Sequence, residues 1–158
     1  MNQAIEPKWE FVTDGVMGGE SQGQMTQEQV QGHAATRLTG RVSLENNGGF
    51  LQMAFDFNAG GGPVDASAWS GIELTLYGNG ETYDLRLRTT DLERPWQSFR
   101  SDFTAPAQWT TLRLPFAALT PHRTDAQFDA CALRRLGLVA VGRAFAVDLA
   151  VREVGFFA

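Results

Sequence analysis

The sequence predicts an all-β domain built as a sandwich or a barrel. Glycine contributes 17 of the 158 residues, aromatic residues make up 11%, and short runs of alternating apolar and polar residues recur along the chain. The long helical periods that βαβ units require are missing. Because this length corresponds to about one domain, we predict a single domain over residues 1–158.

The strand predictions rest on apolar residues at every second position, the period of a strand with one buried face. We predict roughly 8–10 strands in all. The runs, in order, are 37–44, 50–57, 71–77, 82–90, 97–103, 110–114, 135–141 and 145–154. One or two short helical turns are predicted among three segments, 26–31, 115–119 and 125–133.

Two pairs of consecutive runs predict hairpins. Asn47-Gly48 joins the runs 37–44 and 50–57, and both residues accept positive φ, which makes the dipeptide a strong hairpin signal. Gly78-Asn79-Gly80 joins the runs 71–77 and 82–90 in the same way. We therefore expect the members of each pair to be neighbours in one sheet.

The charge balance argues against nucleic acid as a partner. The chain has 18 acidic and 13 basic residues, a formal net charge of −5, whereas a general nucleic-acid binder carries a basic excess. Lys8 is the only lysine, so all other cations are arginines. Arginine makes fixed bidentate or stacked contacts, but the composition of a GC-rich genome explains this bias equally well.

Motifs for catalysis, metal binding or membrane insertion are not evident. The sequence lacks GxSxG, HExxH, P-loop and EF-hand patterns, and His122 has no serine or cysteine nucleophile nearby. Cys131 stands alone in an apolar stretch, so we expect a packed thiol. We expect no catalytic residue, metal or cofactor. Without a signal peptide or a long apolar run, a soluble cytoplasmic protein is expected, although export of a longer precursor stays open.

The candidate binding surface is the polar side of the run 82–90. Arg86 and Arg88 are two residues apart and therefore point to the same face. The next segment adds Trp96, Gln97 and Arg100, of which Trp96 is the best candidate for an exposed platform. An aromatic ring beside such donors can hold a sugar or the side chains of a partner protein. The alternative is a solvated outer face with cross-strand salt bridges.

Two long strings in the first half of the chain are unusual. They are DGVMGGES at 14–21 and GRVSLENNGGF at 40–50, and further matching segments follow between 71 and 154. With them the chain, from Trp9 to Phe157, resembles the complex I intermediate-associated protein 30 family. The resemblance implies a galactose-binding-like jelly-roll β-sandwich without an established catalytic residue set. Plant and bacterial relatives include chains in which the domain is joined to a dinucleotide-binding domain. Because no targeting segment or N-terminal extension is evident, this chain looks like a stand-alone, bacterial-type member.

The resemblance also implies a function and site residues. Mitochondrial members assist assembly of respiratory complex I (NADH:ubiquinone oxidoreductase), so we expect a non-enzymatic, chaperone-like module that binds a complex I subunit or an assembly intermediate at the inner membrane. A carbohydrate-binding module of the same fold is the alternative, and an enzyme with an unrecognised site is less favoured. Expected structural residues are Asp14, Gly15, Met17, Gly18, Gly19, Ser21, Gly48 and Gly49; Glu45, Asn46 and Asn47 are further binding candidates.

Overall fold

Two antiparallel sheets face each other across one hydrophobic core. The computed structural model describes residues 2–17, 19–45 and 49–158. Its strands are β1 (Asn2–Ile5), β2 (Glu10–Thr13), β3 (Gln22–Val30), β4 (His33–Val42), β5 (Phe50–Asp56), β6 (Gly71–Tyr77), β7 (Thr82–Thr89), β8 (Ser98–Thr104), β9 (Thr110–Pro115), β10 (Thr120–His122), β11 (Leu133–Val141) and β12 (Phe145–Phe157). Short 3-10 helices cover Asp14–Met17, Phe116–Ala118 and Ala130–Ala132.

Each sheet contains six of these strands. Sheet A has the order β3-β4-β12-β6-β9, and β1 pairs with the C-terminal end of β12. Sheet B has the order β10-β8-β7-β11-β5-β2. The 13-residue strand β12 pairs with β4 along its first half and with β6 along its second half, and the pairing with β6 has a register shift between Val151 and Glu153.

The period-2 pattern decides which side chains enter the core. Leu85 and Leu87 of β7 are fully buried, and they belong to the same hydrophobic cluster as Leu74 and Leu76 of β6 in the other sheet. The residues between them on β7 are polar and face outward. The inner faces of the two sheets therefore share one apolar core, and the prediction of an all-β sandwich is confirmed.

Both predicted hairpins are wrong. Strand β4 lies in sheet A and β5 in sheet B, and the same holds for β6 and β7. Each loop carries the chain across the core instead of returning it beside the preceding strand. An amphipathic strand can bury its apolar face in either sheet, so alternation and a flexible loop do not specify its neighbour.

The hairpin observed in this region joins β3 to β4. Gln31 and Gly32 form its two-residue turn, and both have positive φ, at 45° and 85°. Positive φ at both central residues is the geometry of a type I′ turn, whose twist matches the flanking strands. The helical turn predicted at 26–31 is wrong. Most of this polar segment belongs to β3, because backbone pairing with β4 outweighs its helical propensity.

The remaining differences concern short or polar segments. Strands β1, β2, β3 and β10 were not predicted, which raises the number of described strands to twelve. Of the segment 125–133, only Ala130–Ala132 is helical, and the turn predicted at 115–119 is present as Phe116–Ala118. Cys131 is exposed instead of packed, because it lies within the short helix Ala130–Ala132 at the surface.

Candidate functional site

Four arginines form a compact group on the outer face of sheet B. Arg86 of β7 lies directly opposite Arg100 of β8. Arg88, two residues further along β7, lies opposite Arg135 of β11. We call Arg86, Arg88, Arg100 and Arg135 the arginine face. Like charges opposite each other on adjacent strands destabilise a sheet, so this arrangement requires compensation from other groups.

Carboxylates compensate the arginine face only in part. Arg86 donates to Oδ2 of Asp84 at 3.1 and 3.3 Å, and the same oxygen is 3.5 Å from Nη1 of Arg100. Nη1 of Arg135 is 2.9 Å from Oδ1 of Asp56 and 3.6 Å from Oε1 of Glu10. One oxygen of one aspartate thus serves two guanidinium groups.

Arg37, on the outer face of sheet A, shows the contrasting arrangement. Its Nε and Nη2 donate to the two carboxylate oxygens of Asp148 at 2.8 and 2.7 Å. Its Nη1 donates to Glu28 at 2.8 Å. These bonds raise the pKa of Arg37 above its usual value. Three separate nitrogens of Arg37 thus make short bonds to carboxylates, whereas Arg135 directs one nitrogen at its two carboxylates.

Arg88 positions the loop that carries Trp96. Its Nε donates to the main-chain oxygen of Gln97 at 3.2 Å, and its Nη2 donates to that of Arg94 at 2.9 Å. Oε1 of Gln97 accepts from the amide of Arg94, and Nε2 of Gln97 donates to the main-chain oxygen of Arg123. Trp96 itself is 56% exposed. The loop that carries Trp96 therefore borders the arginine face.

The electrostatic surroundings of His122 reflect this concentration of positive charge. His122 lies on β10, opposite Ser98 of β8. Its pKa is lowered below the usual value by partial burial and by the charges of Arg86, Arg100 and Arg123. Burial, together with Arg134 and Arg135, likewise lowers the pKa of Arg88. Seven arginines thus lie on or around this part of sheet B: Arg86, Arg88, Arg94, Arg100, Arg123, Arg134 and Arg135.

Ser98 adds an unpaired donor to this region. Because Leu87 and Phe99 are partners and both point into the core, the next positions on the two strands, Arg88 and Ser98, lie side by side on the outer face. The residue is 4% exposed, and its Oγ has no hydrogen-bond partner among the described residues. Buried hydroxyls without a partner are uncommon in folded proteins.

Glu45, another predicted binding residue, lies at the opposite end of sheet B from Arg88. The segment containing Glu45 leads into Phe50, which pairs with Val141 at the end of β11. Arg135, beside Arg88, is six residues away along β11, which is roughly 20 Å. Glu45 instead lines an open groove of about 660 Å³ with Glu20, Gln22, Arg41, Val42, Ser43, Leu44 and Ala144. Asn46, Asn47 and Gly48 lie outside the described residues.

The string at 14–21 centres on the buried carboxylate of Asp14. It accepts hydrogen bonds from the amides of Ser21, Gly49 and Phe50 and from the hydroxyl of Ser21. Burial alone would raise the pKa of Asp14, but these bonds outweigh it and lower the pKa. The hydroxyl of Ser21 also accepts from the amide of Ser43 at 2.8 Å. Asp14 therefore ties the start of β5 to the segment before β3.

Two glycines of the same string have local structural contacts. A Cβ at Gly19 would lie 2.4 Å from Cγ of Asp14, so a larger residue would displace the carboxylate. The amide of Gly15 donates to Oγ1 of Thr13 at 2.9 Å. Met17 ends the adjacent 3-10 helix, and Gly18 lies outside the described residues. These contacts hold the described part of the string against neighbouring backbone, and a structural role for it stays a prediction.

Several features of this region were not predicted. Arg135, Asp56 and Ser98 join the site through strand pairing, and β11 is separated from β7 by more than forty positions. Arg135 could have been identified as an outward-facing residue from the alternation of apolar and polar residues along β11. Among the described residues, no group of three or more His, Cys, Asp or Glu side chains could hold a metal ion. No helix in the described ranges has the length and apolar character needed to span a membrane.

Solved structures with this fold include carbohydrate-binding modules of Clostridium thermocellum. The family 11 module of the cellulosomal cellulase Lic26A-Cel5E aligns with a TM-score of 0.80 and 8% identity, over 100% of this chain and 95% of that one. A family 11 module in complex with a β-1,3-1,4-mixed-linked tetrasaccharide aligns at 0.78 and 9% identity, over 99% and 95%. The family 30 module of Cel9D-Cel44B aligns at 0.64 and 13% identity, over 100% and 98%. At these identities the likeness shows the fold alone.

The sequence comparisons identify the family. No curated protein sequence matches this chain significantly. A family profile described as complex I intermediate-associated protein 30 matches residues 2–150, nearly the whole chain. The jelly-roll sandwich and this match together confirm the resemblance of the strings at 14–21 and 40–50. The chain belongs to the complex I intermediate-associated protein 30 family.

Proposed function

We propose that this chain is a non-catalytic module that binds a protein partner through the arginine face. The observation that carries this proposal is the pairing of Arg86 with Arg100 and of Arg88 with Arg135 on adjacent strands. Arg86 and Arg100 share one carboxylate oxygen, and the printed bonds of Arg88 go to main-chain oxygens, so the repulsion within each pair is offset incompletely in the isolated protein. A partner with acidic groups would relieve the repulsion.

The composition of the region also suits a protein interface. Arginine and tryptophan are enriched among the residues that contribute most to binding energy in such interfaces. Trp96 is the most exposed of the described large hydrophobic side chains, and Arg88 holds its loop against the arginine face. An exposed indole beside clustered guanidinium groups can therefore act as an anchor.

The family description suggests the class of partner. It names association with an intermediate of complex I, so we take a complex I subunit or assembly intermediate as the partner. The chain would act as an assembly factor, working from the cytoplasmic side and meeting the inner membrane only through that partner. The positive arginine face on a chain with a net charge of −5 would orient it toward an acidic surface.

Affinity capture with crosslinking tests this proposal. The purified, tagged chain is incubated with detergent-solubilised membranes of the source cells, and bound complex I subunits are quantified by mass spectrometry. The double variant Arg86→Gln/Arg100→Gln is compared with Arg113→Gln, which alters an exposed, ion-paired arginine on the outer face of sheet A. We expect enrichment of complex I subunits with the unaltered chain and with Arg113→Gln, and loss with the double variant. Equal capture by all three proteins, or no enrichment of complex I subunits, would contradict the proposal.

Carbohydrate binding is the second candidate function. It is favoured by the exposed Trp96, since an indole can stack on a sugar ring while neighbouring polar groups bond its hydroxyls. A glycan array should then show binding that is lost in Trp96→Ala. The matched control is Trp109→Phe, because Trp109 is partly buried and donates to the main-chain oxygen of Val30. An array without binding rejects this candidate.

A further inference from the structure

We infer that the arginine face binds a short, extended segment of the partner protein that carries carboxylates at alternate positions. This inference rests on the proposed function and specifies the chemistry of its partner. Three observations support it. They are the arrangement of the arginine face in two cross-strand pairs, the unpaired hydroxyl of Ser98, and the carboxylates around the arginine face.

The spacing of the arginines matches an extended acidic segment. Arg86 and Arg88 are two residues apart on one strand, so their Cα atoms are separated by roughly 7 Å. Side chains at alternate positions of an extended peptide are separated by the same distance and point to the same side. Arg100 and Arg135 lie on the strands to either side of β7, where each can bind the same carboxylate as its cross-strand neighbour.

The arginines retain donors for such a ligand. A guanidinium group offers five N–H donors in a planar arrangement suited to a carboxylate. The side chain of Arg100 is 45% exposed, and its ion pair with Asp84 is long, at 3.5 Å. Arg86 directs Nε and Nη2 at one oxygen of the same Asp84. A carboxylate from a partner could therefore form short hydrogen bonds with Arg86 and Arg100, which now share one oxygen of Asp84.

Ser98 supplies a second and independent observation. Its Oγ is buried on the outer face beside Arg88 and opposite His122, and it lacks a partner among the described residues. A carboxylate that enters between those two side chains would accept a hydrogen bond from the Ser98 hydroxyl. The lowered pKa values of His122 and Arg88 agree with an excess of positive charge at this point.

Acidic residues border the arginine face and limit the ligand. Asp84 and Asp102 are paired directly opposite each other on β7 and β8. On the other side, Asp56 of β5 and Glu10 of β2 flank Arg135. A broad anionic surface such as a lipid bilayer would meet these carboxylates and be repelled, whereas a narrow segment can contact the arginines alone. The charge pattern therefore favours a peptide over a membrane.

Fluorescence anisotropy with synthetic peptides tests the inference. The probe is a short labelled peptide in which Glu alternates with Thr, and the matched control replaces each Glu by Gln. We expect binding of the Glu peptide only, with an affinity that falls as salt is raised. Arg100→Gln should weaken it roughly tenfold or more, the effect of losing one charge-assisted bond. Arg113→Gln should leave it unchanged.

Ser98→Ala separates a binding role from a structural one. Removing an unpaired buried hydroxyl should leave thermal stability unchanged or increase it. The affinity for the Glu peptide should nevertheless fall several-fold, because the bound carboxylate loses a donor. Unchanged affinity in Ser98→Ala would remove this residue from the site.

Three results would overturn the inference. They are no binding of the Glu peptide, equal binding of the Gln peptide, and binding that Arg100→Gln does not weaken. Arginine-dependent binding of phosphatidylglycerol vesicles without peptide binding would also overturn it, in favour of a membrane ligand. If the peptide fails while captured complex I subunits still depend on Arg86 and Arg100, this inference fails and the proposed function stands. If both dependences are absent, both fail.

Discussion

Replacing Asp14 by Asn should strongly destabilise the fold. The carboxylate accepts from three main-chain amides and one hydroxyl, and it is completely buried. Asn retains one acceptor oxygen and places an NH2 group against donors that need an acceptor. With two charge-assisted bonds lost, the free energy of unfolding should fall by about 3–5 kcal/mol.

Urea denaturation followed by tryptophan fluorescence measures this loss. Asp91→Asn is the matched control, because Asp91 lies exposed in the loop after β7 and the same chemical change should have little effect there. A decrease below about 1 kcal/mol in Asp14→Asn would refute the reasoning, since it would mean that the bonds to Asp14 contribute no more than ordinary surface contacts.

The pH dependence gives a second test of Asp14. Its pKa is lowered from the ordinary 3.8, so the folded protein binds a proton there only at lower pH than the unfolded chain does. The stability from Asp14 is therefore present above pH 3.8 and is lost as the pH falls through the folded pKa. Asp14→Asn should lack this part of the acid-induced loss, and an unaltered acid profile would contradict the assignment.

Three further predictions follow from the same structure. Gly19→Ala should destabilise the protein by about 1–3 kcal/mol in urea titrations, since its Cβ would overlap Asp14, while Gly60→Ala should be nearly neutral because the nearest atom there is 3.5 Å away. Arg88→Gln should increase hydrogen exchange in the loop 93–98, whereas Arg113→Gln should not, and equal exchange in both would show that Arg88 does not hold the loop. Burial raises the pKa of Tyr83 to about 12, so the neutral phenol stabilises the fold below pH 10 and this part is lost as the pH rises toward 12; thermal melts of Tyr83→Phe should show a smaller loss over that range, and an identical loss would refute the assignment.

The sequence alone determined the strands with strong alternation. The run 71–77 coincides with β6, and 82–90 differs from β7 by one residue, because burial of one face requires an apolar residue at every second position. Short or polar strands carry no such signal. Strand β3 contains the polar run TQEQ, and it is held by main-chain bonds to β4 that any side chain permits.

The sequence predicted only part of the candidate site. Arg86 and Arg88 share a face because of their spacing on one strand, and that much follows from the sequence. Their cross-strand neighbours, Arg100 and Arg135, depend on which strands lie beside β7. Glu45 was predicted as a further binding residue, but it lies at the other end of sheet B, where Phe50 begins β5.

Only the tertiary structure decided how the strands are distributed between the sheets. The loops after β4 and β6 have the composition of hairpin turns, yet both cross the core. Local patterns report whether a strand has a buried face, and both sheets of a sandwich offer one. The choice between them depends on packing and backbone pairing among strands distant in the chain. That pairing brings Arg135 to Arg88 and thereby completes the arginine face.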